Sequence, residues 1–339
     1  MKRIGNLYDK IINIENLKLA DENARKGKLK SYGVRKHDEN REANIISLYK
    51  QLKNKTYKTS NYNIFKIYEP KEREIYQLPY FPDRIVHHAI MNILEPIWKT
   101  IFTFDTFSCI KKRGIHGCMQ KVKKSLRDDK NTKYCLKMDI KKYYPSVDNN
   151  ILKNIIRKKI KCKDTLDILD EIIDSAKGIP IGNYLSQYFA NVYLTYFDHY
   201  LKEEMKVKYY FRYADDMVIF SNNKKDLREI LINIQNYLKE NLNLELKSNY
   251  QIFPTDIRGV DFVGYVFRTT HIFIRKSIKK NFARKVAKLY KKNISIKQFK
   301  NKIASWLGWC KYANCKKLVK KLYNIYDKKL ILCMNNVNL

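Results

Sequence analysis

A chain of 339 residues with 45% hydrophobic residues is long enough for one large globule or two to three subdomains, and apolar enough to build cores. Its 69 Lys and Arg against 34 Asp and Glu leave a net charge of +35 spread over the whole length, which points to a polyanion. Nucleic acid is favoured over a membrane surface: phosphate neutralisation releases counterions, and there is neither an apolar run of about 18 residues nor a separate basic amphipathic helix. Met1 to Glu15 is charged throughout and lacks a signal-peptide core, so a cytoplasmic protein is expected. Seven cysteines without a C-x-x-C pair indicate reduced thiols rather than a disulfide framework or a zinc site.

With 10 Gly, 7 Pro and no internal repeat, no long flexible linker is expected. Residues 5–55 read as helical, and Tyr62 to Tyr80 as short strands broken by Pro70 and Pro79. Asp83 to Thr103 reads as an apolar-periodic helix interrupted at Pro96, with His87 and His88 as surface or hydrogen-bonded histidines rather than ligands. In Lys133 to Ile140 the period-two pattern puts Tyr134, Leu136 and Met138 on one face and Cys135, Lys137 and Asp139 on the other. A helix is expected over Asn183 to Glu203, with Leu185, Phe189, Val192 and Tyr196 at helical spacing. Tyr209 to Tyr213 and Met217 to Phe220 form a hairpin carrying acids at its tip. Helix returns over 224–240, then β-like Leu242 to Phe253 and Asp261 to Phe267, in a βαββαβ-like order. From about Lys276 the chain becomes basic and helical.

Adjacent carboxylates on a tight turn repel and require a cation to remain ionised together. Asp215 and Asp216, with Asp139 at a strand end, offer the oxygen ligands that Mg²⁺ prefers. Two such ions ~3.5–4 Å apart suit phosphoryl transfer.

Tyr213-Ala-Asp-Asp216 resembles motif C of reverse transcriptases, and Lys137-Met-Asp-Ile-Lys-Lys-Tyr-Tyr-Pro-Ser-Val-Asp148 resembles motif A. The resemblance runs from about Tyr68 to Ala313. It implies an α+β right-hand polymerase with fingers, a ferredoxin-like palm and a small helical thumb, and RNA-directed DNA synthesis from a primer and dNTPs. Asp139, Asp215 and Asp216 would be catalytic, holding two Mg²⁺ ions, or Mn²⁺ in their place, with the Ile140 carbonyl. Tyr144 would crowd a ribose 2′-hydroxyl, with a core aromatic as the alternative. Glu69-Pro-Lys-Glu-Arg-Glu-Ile75 and Asp83-Arg-Ile-Val-His-His88 resemble fingers segments, where Arg73 would contact the triphosphate unless it is a surface residue.

Lys112-Arg-Gly-Ile-His-Gly117 resembles a further fingers block, placing Arg113, Gly114 and His116 at the template backbone. Phe262-Val-Gly-Tyr265 resembles the primer grip, including Gly264. Ser305-Trp-Leu-Gly-Trp309 resembles a thumb helix, whose Trp306 and Trp309 would track the duplex or form thumb core. Tyr213 would also lie on nucleic acid, and Lys247 resembles a lysine able to protonate pyrophosphate.

Gly178-Ile-Pro-Ile-Gly-Asn-Tyr-Leu-Ser-Gln-Tyr-Phe-Ala-Asn191 departs from the Q-G-x-x-x-S-P of group II intron enzymes. Ile181, Gly182 and Gln187 at the nucleotide site resemble the reverse transcriptases of diversity-generating retroelements. That resemblance implies a bacterial or phage-encoded enzyme that miscopies template adenines into cDNA for mutagenic retrohoming, working with a template RNA and an accessory variability protein. Physically, Ile at 181 offers only apolar contact where Gln could hydrogen-bond the incoming nucleotide; alternatively, Ile181 simply packs on a helix. The other readings are a group II-like, retron or phage-defence reverse transcriptase, or a non-catalytic RNA-binding scaffold. The expected divisions are fingers at 1–130 and 149–178, palm at 131–148 and 179–276, and thumb at 277–339.

Overall fold

The structure, a computed structural model, describes residues 2–68, 72–292 and 294–326; positions 69–71 of the expected fingers and 327–339 of the expected thumb lie outside the described residues. The chain forms two compact units. One contains the described residues up to Ile110 with Asp139–Lys206 and Ile232–Ser248, and the other contains Lys111–Met138, Val207–Leu231 and the described residues from Asn249 onward.

The first unit opens with helices α1 (Tyr8–Ile12), α2 (Ile14–Arg25), α3 (Tyr32–Asp38) and α4 (Arg41–Lys53). The Asn13 side chain accepts from the Glu15 amide and starts α2, whose buried face carries Leu17, Ala20 and Ala24. An antiparallel hairpin follows, β1 (Asn63–Ile67) with β2 (Arg73–Gln77), in the register Ile64↔Tyr76. A kinked turn at Tyr80–Arg84, extended at Phe81 (φ −108°, ψ 133°), feeds α5 (Ile85–Lys99), against which α2 packs. Pro96 does not interrupt α5 as expected. It lies in the last turn, where its missing N–H removes a single bond near the helix end. Among the described residues, no helix is long and apolar enough to cross a membrane.

The chain then contributes α6 (Ile115–Ser125) and β3 (Tyr134–Asp139) to the second unit, apart from Asp139, which the first unit claims. In the first unit follow α7 (Tyr143–Ser146), α8 (Asn149–Arg157), α9 (Lys163–Asp174), α10 (Ser186–Tyr193) and α11 (Thr195–His199). The single helix expected over 183–203 is broken: Leu194, at φ −92° and ψ 3°, separates α10 from α11, and Tyr200–Glu204 is π-helical.

Strands β4 (Tyr209–Tyr213) and β5 (Asp216–Ser221) form the expected hairpin, followed by α12 (Lys224–Leu242). Next come β6 (Gln251–Pro254), α13 (Thr255–Arg258), β7 (Val260–Phe262), β8 (Tyr265–Phe267) and β9 (Ile272–Ile274). Thus only part of the β-like stretch before Phe253 is strand, and Asp261 to Phe267 is itself a hairpin turning at Val263 and Gly264. The described chain closes with α14 (Lys276–Tyr290), α15 (Ile296–Lys311) and α16 (Lys316–Tyr326).

The main sheet has the order β4-β5-β3-β6, and β7-β8-β9 form a second. β3 is therefore an inner strand. Cys135 and Leu136 are both buried although they point to opposite faces, so the expected one-sided alternation does not hold.

Within the first unit, Asp21 is fully buried and accepts from the Tyr80 hydroxyl at 2.5 Å, Arg25 at 2.8 Å and Arg41 at 2.7 Å. Burial alone would raise its pKa, but the bonds from Tyr80, Arg41 and Arg25 outweigh burial and hold the carboxyl below its usual value. A depressed carboxyl pKa stabilises the fold above the unfolded value of about 3.9 and loses that contribution as pH falls through the lower folded value. Asp21→Ala is expected to lower the unfolding free energy at pH 7 by about 2–3 kcal/mol in urea titrations, with a smaller deficit in acid. An unchanged urea midpoint would show that the network contributes nothing.

Candidate functional site

The β4–β5 hairpin is closed by the pair Tyr213↔Asp216, leaving Ala214 and Asp215 as a two-residue turn. Ala214 has φ +55°, a left-handed conformation that costs a non-glycine residue about 1 kcal/mol. Arg212, fully buried in β4, donates from Nη1 to the Ala214 carbonyl at 3.1 Å and braces that turn. Sequence reasoning missed this arginine, whose signal was a cation inside an otherwise aromatic strand. Tyr213, Asp215 and Asp216 are all half-buried. β5, opening on Asp216, is hydrogen-bonded to β3, closing on Asp139. Burial pushes the Cys135 thiol of β3 far up, and the Asp216 carboxylate adds to that rise.

Asp139 has its own cation. Lys247 Nζ lies 2.5 Å from Asp139 Oδ1, and the Lys247 amide donates to the Asp139 carbonyl at 2.8 Å. Ile140 faces Leu246 in an isolated antiparallel bridge, with the Lys141 amide donating to the Glu245 carbonyl at 2.8 Å. This short ladder uses the carbonyls of Asp139 and Glu245 and leaves that of Ile140 outside it. Three carboxylates and one carbonyl are the hard oxygen donors that Mg²⁺ takes, so the residue chemistry fits that metal. Among the described residues, no three His, Cys, Asp or Glu are gathered closely enough to hold an ion. The Lys247 ammonium is Asp139's partner in this structure.

The segment expected to meet the nucleotide is stitched at both ends. In α7, Tyr143 is buried and its hydroxyl donates to the Ala190 carbonyl, while Tyr144 is half-buried with its ring 5.7 Å from that of Tyr143. The Tyr144 carbonyl accepts from the Ile179 amide at 2.8 Å, and a Cβ on Gly178 (φ +71°) would meet that carbonyl oxygen at 2.8 Å. At the other end the Ile181 carbonyl accepts from the Tyr76 amide of β2 at 2.8 Å. Gly182 (φ +129°) passes so close that a Cβ would lie 2.6 Å from the Tyr76 carbonyl oxygen. Tyr144, Ile181 and Gly182 are thus tied into one segment, whereas Arg73 and Gln187 stand exposed on β2 and α10.

Beside this segment is a cavity of about 950 Å³ whose lining includes Lys28, Lys36, Phe65, Arg84, Gly182 and Tyr184. Tyr184 stacks on His88 at 3.9 Å and 5°. Burial, together with Arg84, Lys28 and Lys26, holds His88 down to about 4, so cations gather on this wall. His87, buried in α5, is pushed down to about 3, chiefly by burial. The two histidines are interior groups, not the surface residues expected as one alternative.

In the second unit, Arg113 is half-buried and Gly114 (φ +25°) precedes α6. Trp306 stacks on Phe282 at 6.2 Å within the α14–α15 pair, and Trp309 covers Gly264. His116 packs on Tyr312 at 4.1 Å. The described cysteines are free thiols.

Residues 67–267, more than half of the chain, match the family described as reverse transcriptase (RNA-dependent DNA polymerase), and the protein belongs to that family. Among individual relatives, Protein YkfC of Escherichia coli strain K12 is 24% identical over 233 residues, covering 56% of this chain and 61% of that protein. The putative COX1/OXI3 intron 2 protein of Saccharomyces cerevisiae is 22% identical over 258 residues, covering 56% of this chain and 30% of that protein. The group II intron-encoded protein LtrA of Lactococcus lactis subsp. cremoris is 23% identical over 181 residues, covering 50% and 30%. The chain therefore spans between 30% and 61% of these relatives' own lengths. Apo telomerase from Candida tropicalis superposes with a TM-score of 0.52 at 13% identity, over 80% of this chain and 60% of that one. The fold is that of the right-hand polymerases.

Gly182→Ala is expected to break the stitch to β2, because the added methyl cannot coexist with the Tyr76 carbonyl and φ +129° is strained for alanine. Hydrogen exchange at the Tyr76 amide should accelerate about tenfold or more, the signature of local opening worth at least ~1.4 kcal/mol. Unaltered protection would mean that the segment accommodates a side chain there.

Proposed function

We propose that the chain is an RNA-directed DNA polymerase whose site is built on Asp139, Asp215 and Asp216. The observation that carries this reading is the pairing of β3, which ends on Asp139, with β5, which begins on Asp216, in a chain of the reverse transcriptase family. Two Mg²⁺ ions, or Mn²⁺ in their place, would be held by the three carboxylates and the Ile140 carbonyl; when bound they activate the primer 3′-hydroxyl and stabilise the leaving pyrophosphate.

The protein's own groups supply the rest. Lys247 lies 2.5 Å from Asp139 and is suited to give a proton to pyrophosphate. Tyr144 crowds the 2′ position of the incoming sugar and Arg73 contacts its triphosphate. The cavity beside Gly182 and Tyr184, with Lys28, Lys36 and Arg84 on its wall, suits a single-stranded RNA template through cationic and stacking contacts. Arg113, Gly114, Tyr213, Gly264 and the helices bearing Trp306 and Trp309 serve the primer–template duplex. The divisions fingers 1–130 and 149–178, palm 131–148 and 179–276, and thumb 277–339 belong to the same reading.

The finer reading is an error-prone enzyme of a diversity-generating retroelement, assisted by an accessory variability protein and acting in the cytoplasm of a bacterium or on behalf of a phage. It rests on Ile181, Gly182 and Gln187. Ile181 sits in the segment tied to β2, and its apolar side chain cannot make the hydrogen bond that a glutamine there could. The likeness to an intron-encoded protein of Lactococcus lactis favours a group II-like enzyme as the second reading.

Asp216→Ala should lower primer extension on an RNA template by about a thousandfold or more, with the fold retained. Equal extension by both proteins would refute the assignment, and no extension by either would favour an RNA-binding scaffold. In sequenced cDNA, Ile181→Gln should reduce substitutions opposite template adenines by about five- to tenfold, the equivalent of one hydrogen bond of ~1 kcal/mol. Equal error spectra would remove Ile181 as the determinant and leave the group II-like reading.

A further inference from the structure

The β7–β8 turn is strained. Val263 has φ +43° and Gly264 φ +84°. A β-branched residue at positive φ persists only where its surroundings over-determine it. Here the surroundings are the end of α15. The Trp309 indole lies against the turn so closely that a Cβ on Gly264 would be 2.5 Å from it, and the buried Tyr265 ring is 4.9 Å from the same indole. Asn314, just beyond α15, donates its amide to the Ile272 carbonyl at 2.7 Å and accepts from the Ile272 amide at 2.9 Å, tying the helix end to β9.

His116, from the N-terminal turn of α6, clasps this assembly from outside the thumb helices. Its ring stacks on Tyr312 at 4.1 Å and 26°, and its Nδ1 lies 3.4 Å from the Tyr265 hydroxyl. That hydroxyl is also 3.3 Å from the Trp309 carbonyl. A carbonyl can only accept, so the single phenolic proton goes to Trp309 and Tyr265 receives Nδ1–H from His116. Burial, with Lys311 adding to it, lowers the His116 pKa, which favours the neutral imidazole carrying that proton. One face of the ring is turned to Tyr312, and the Trp309 indole meets the ring edge-to-face at 6.3 Å and 69°.

We propose that His116 is a positioning residue which, through Tyr312 and Tyr265, locks the end of α15 onto the β7–β8 turn and so sets how firmly the protein holds a primer–template duplex. The proposal rests on the polymerase reading for its substrate, but its test does not require turnover. The full chain is titrated with a fluorescent DNA-primer/RNA-template duplex, and single-nucleotide addition is measured in parallel. His116→Ala and Tyr312→Ala should each weaken duplex binding about tenfold and shorten the products made per binding event, with the loss in KM for duplex rather than in kcat.

Because both act through one contact, the double variant should lose about tenfold, not about a hundredfold. His116→Phe, which keeps the stack, should recover most of the affinity. Tyr265→Phe, which removes only an oxygen and keeps the packing, should lose about three- to fivefold and serves if the alanine variants do not fold. Multiplicative losses, a fall in kcat alone, or unchanged affinity in Tyr265→Phe and His116→Ala would overturn the proposal. Wild-type binding without extension, under conditions where these losses persist, would remove the polymerase reading and leave the clasp standing.

Discussion

The end of β3 is organised by an ammonium set against a carboxylate. Lys247 meets Asp139 at 2.5 Å, and the backbones of the two residues are joined through the same short ladder. About a third of each side chain is exposed, 33% and 34%, so the pair contributes at most about 1 kcal/mol. Such a pair is easily exchanged. Were a divalent ion held at Asp139, a small movement of the Lys247 ammonium would free the carboxylate for it, with the ladder keeping the lysine within reach. The same backbone bonds that hold Lys247 near Asp139 leave the Ile140 carbonyl outside the ladder.

Three strained positions lie beside residues of the proposed site. Ala214 before the paired acids, Lys142 before Tyr143 and Val263 in the β7–β8 turn all have positive φ without being glycine. Each is held by other groups: Arg212 braces the Ala214 carbonyl, Tyr143 bonds to Ala190, and Trp309 covers the Val263–Gly264 turn. The cost of about 1 kcal/mol or more per residue is offset by buried packing and hydrogen bonds behind it. Preorganisation of this kind fixes acidic and backbone groups before a substrate arrives, so less ordering remains to be done on binding.

The hairpin at 209–221 was legible because apolar β-formers flank a short acidic turn, and both strand pairing and turn follow from local pattern. The same held for Asp139 at a strand end. Other elements were decided by contacts no local pattern contains. Cys135 is buried because β3 lies between β5 and β6, a fact of sheet order rather than of alternation. Leu194 breaks the expected long helix although its neighbours keep helical spacing. The contacts of Lys247 and His116 are made with distant partners: Asp139 lies 108 positions from Lys247 and Tyr265 lies 149 from His116. Even Arg212, whose partner is two residues away, reads in sequence as an ordinary strand cation.

A net charge of +35 makes attraction to a polyanion inexpensive, but charge alone fixes neither register nor orientation. Lysine side chains on solvated faces follow a phosphate backbone wherever it slides. Position needs surfaces that cannot deform, and the backbone stitches at Gly178 and Gly182 are surfaces of that kind. Gly178 and Gly182 have no space for a side chain because neighbouring carbonyls occupy it, 2.8 and 2.6 Å from where a Cβ would be. The segment between them therefore cannot shift toward α7 or β2 without breaking a hydrogen bond at one end. Ile181, inside that span, is presented at a fixed height. A residue so constrained acts through what its side chain can or cannot bond, not by moving, which is why the proposed discrimination of a nucleotide turns on an aliphatic group standing where an amide could.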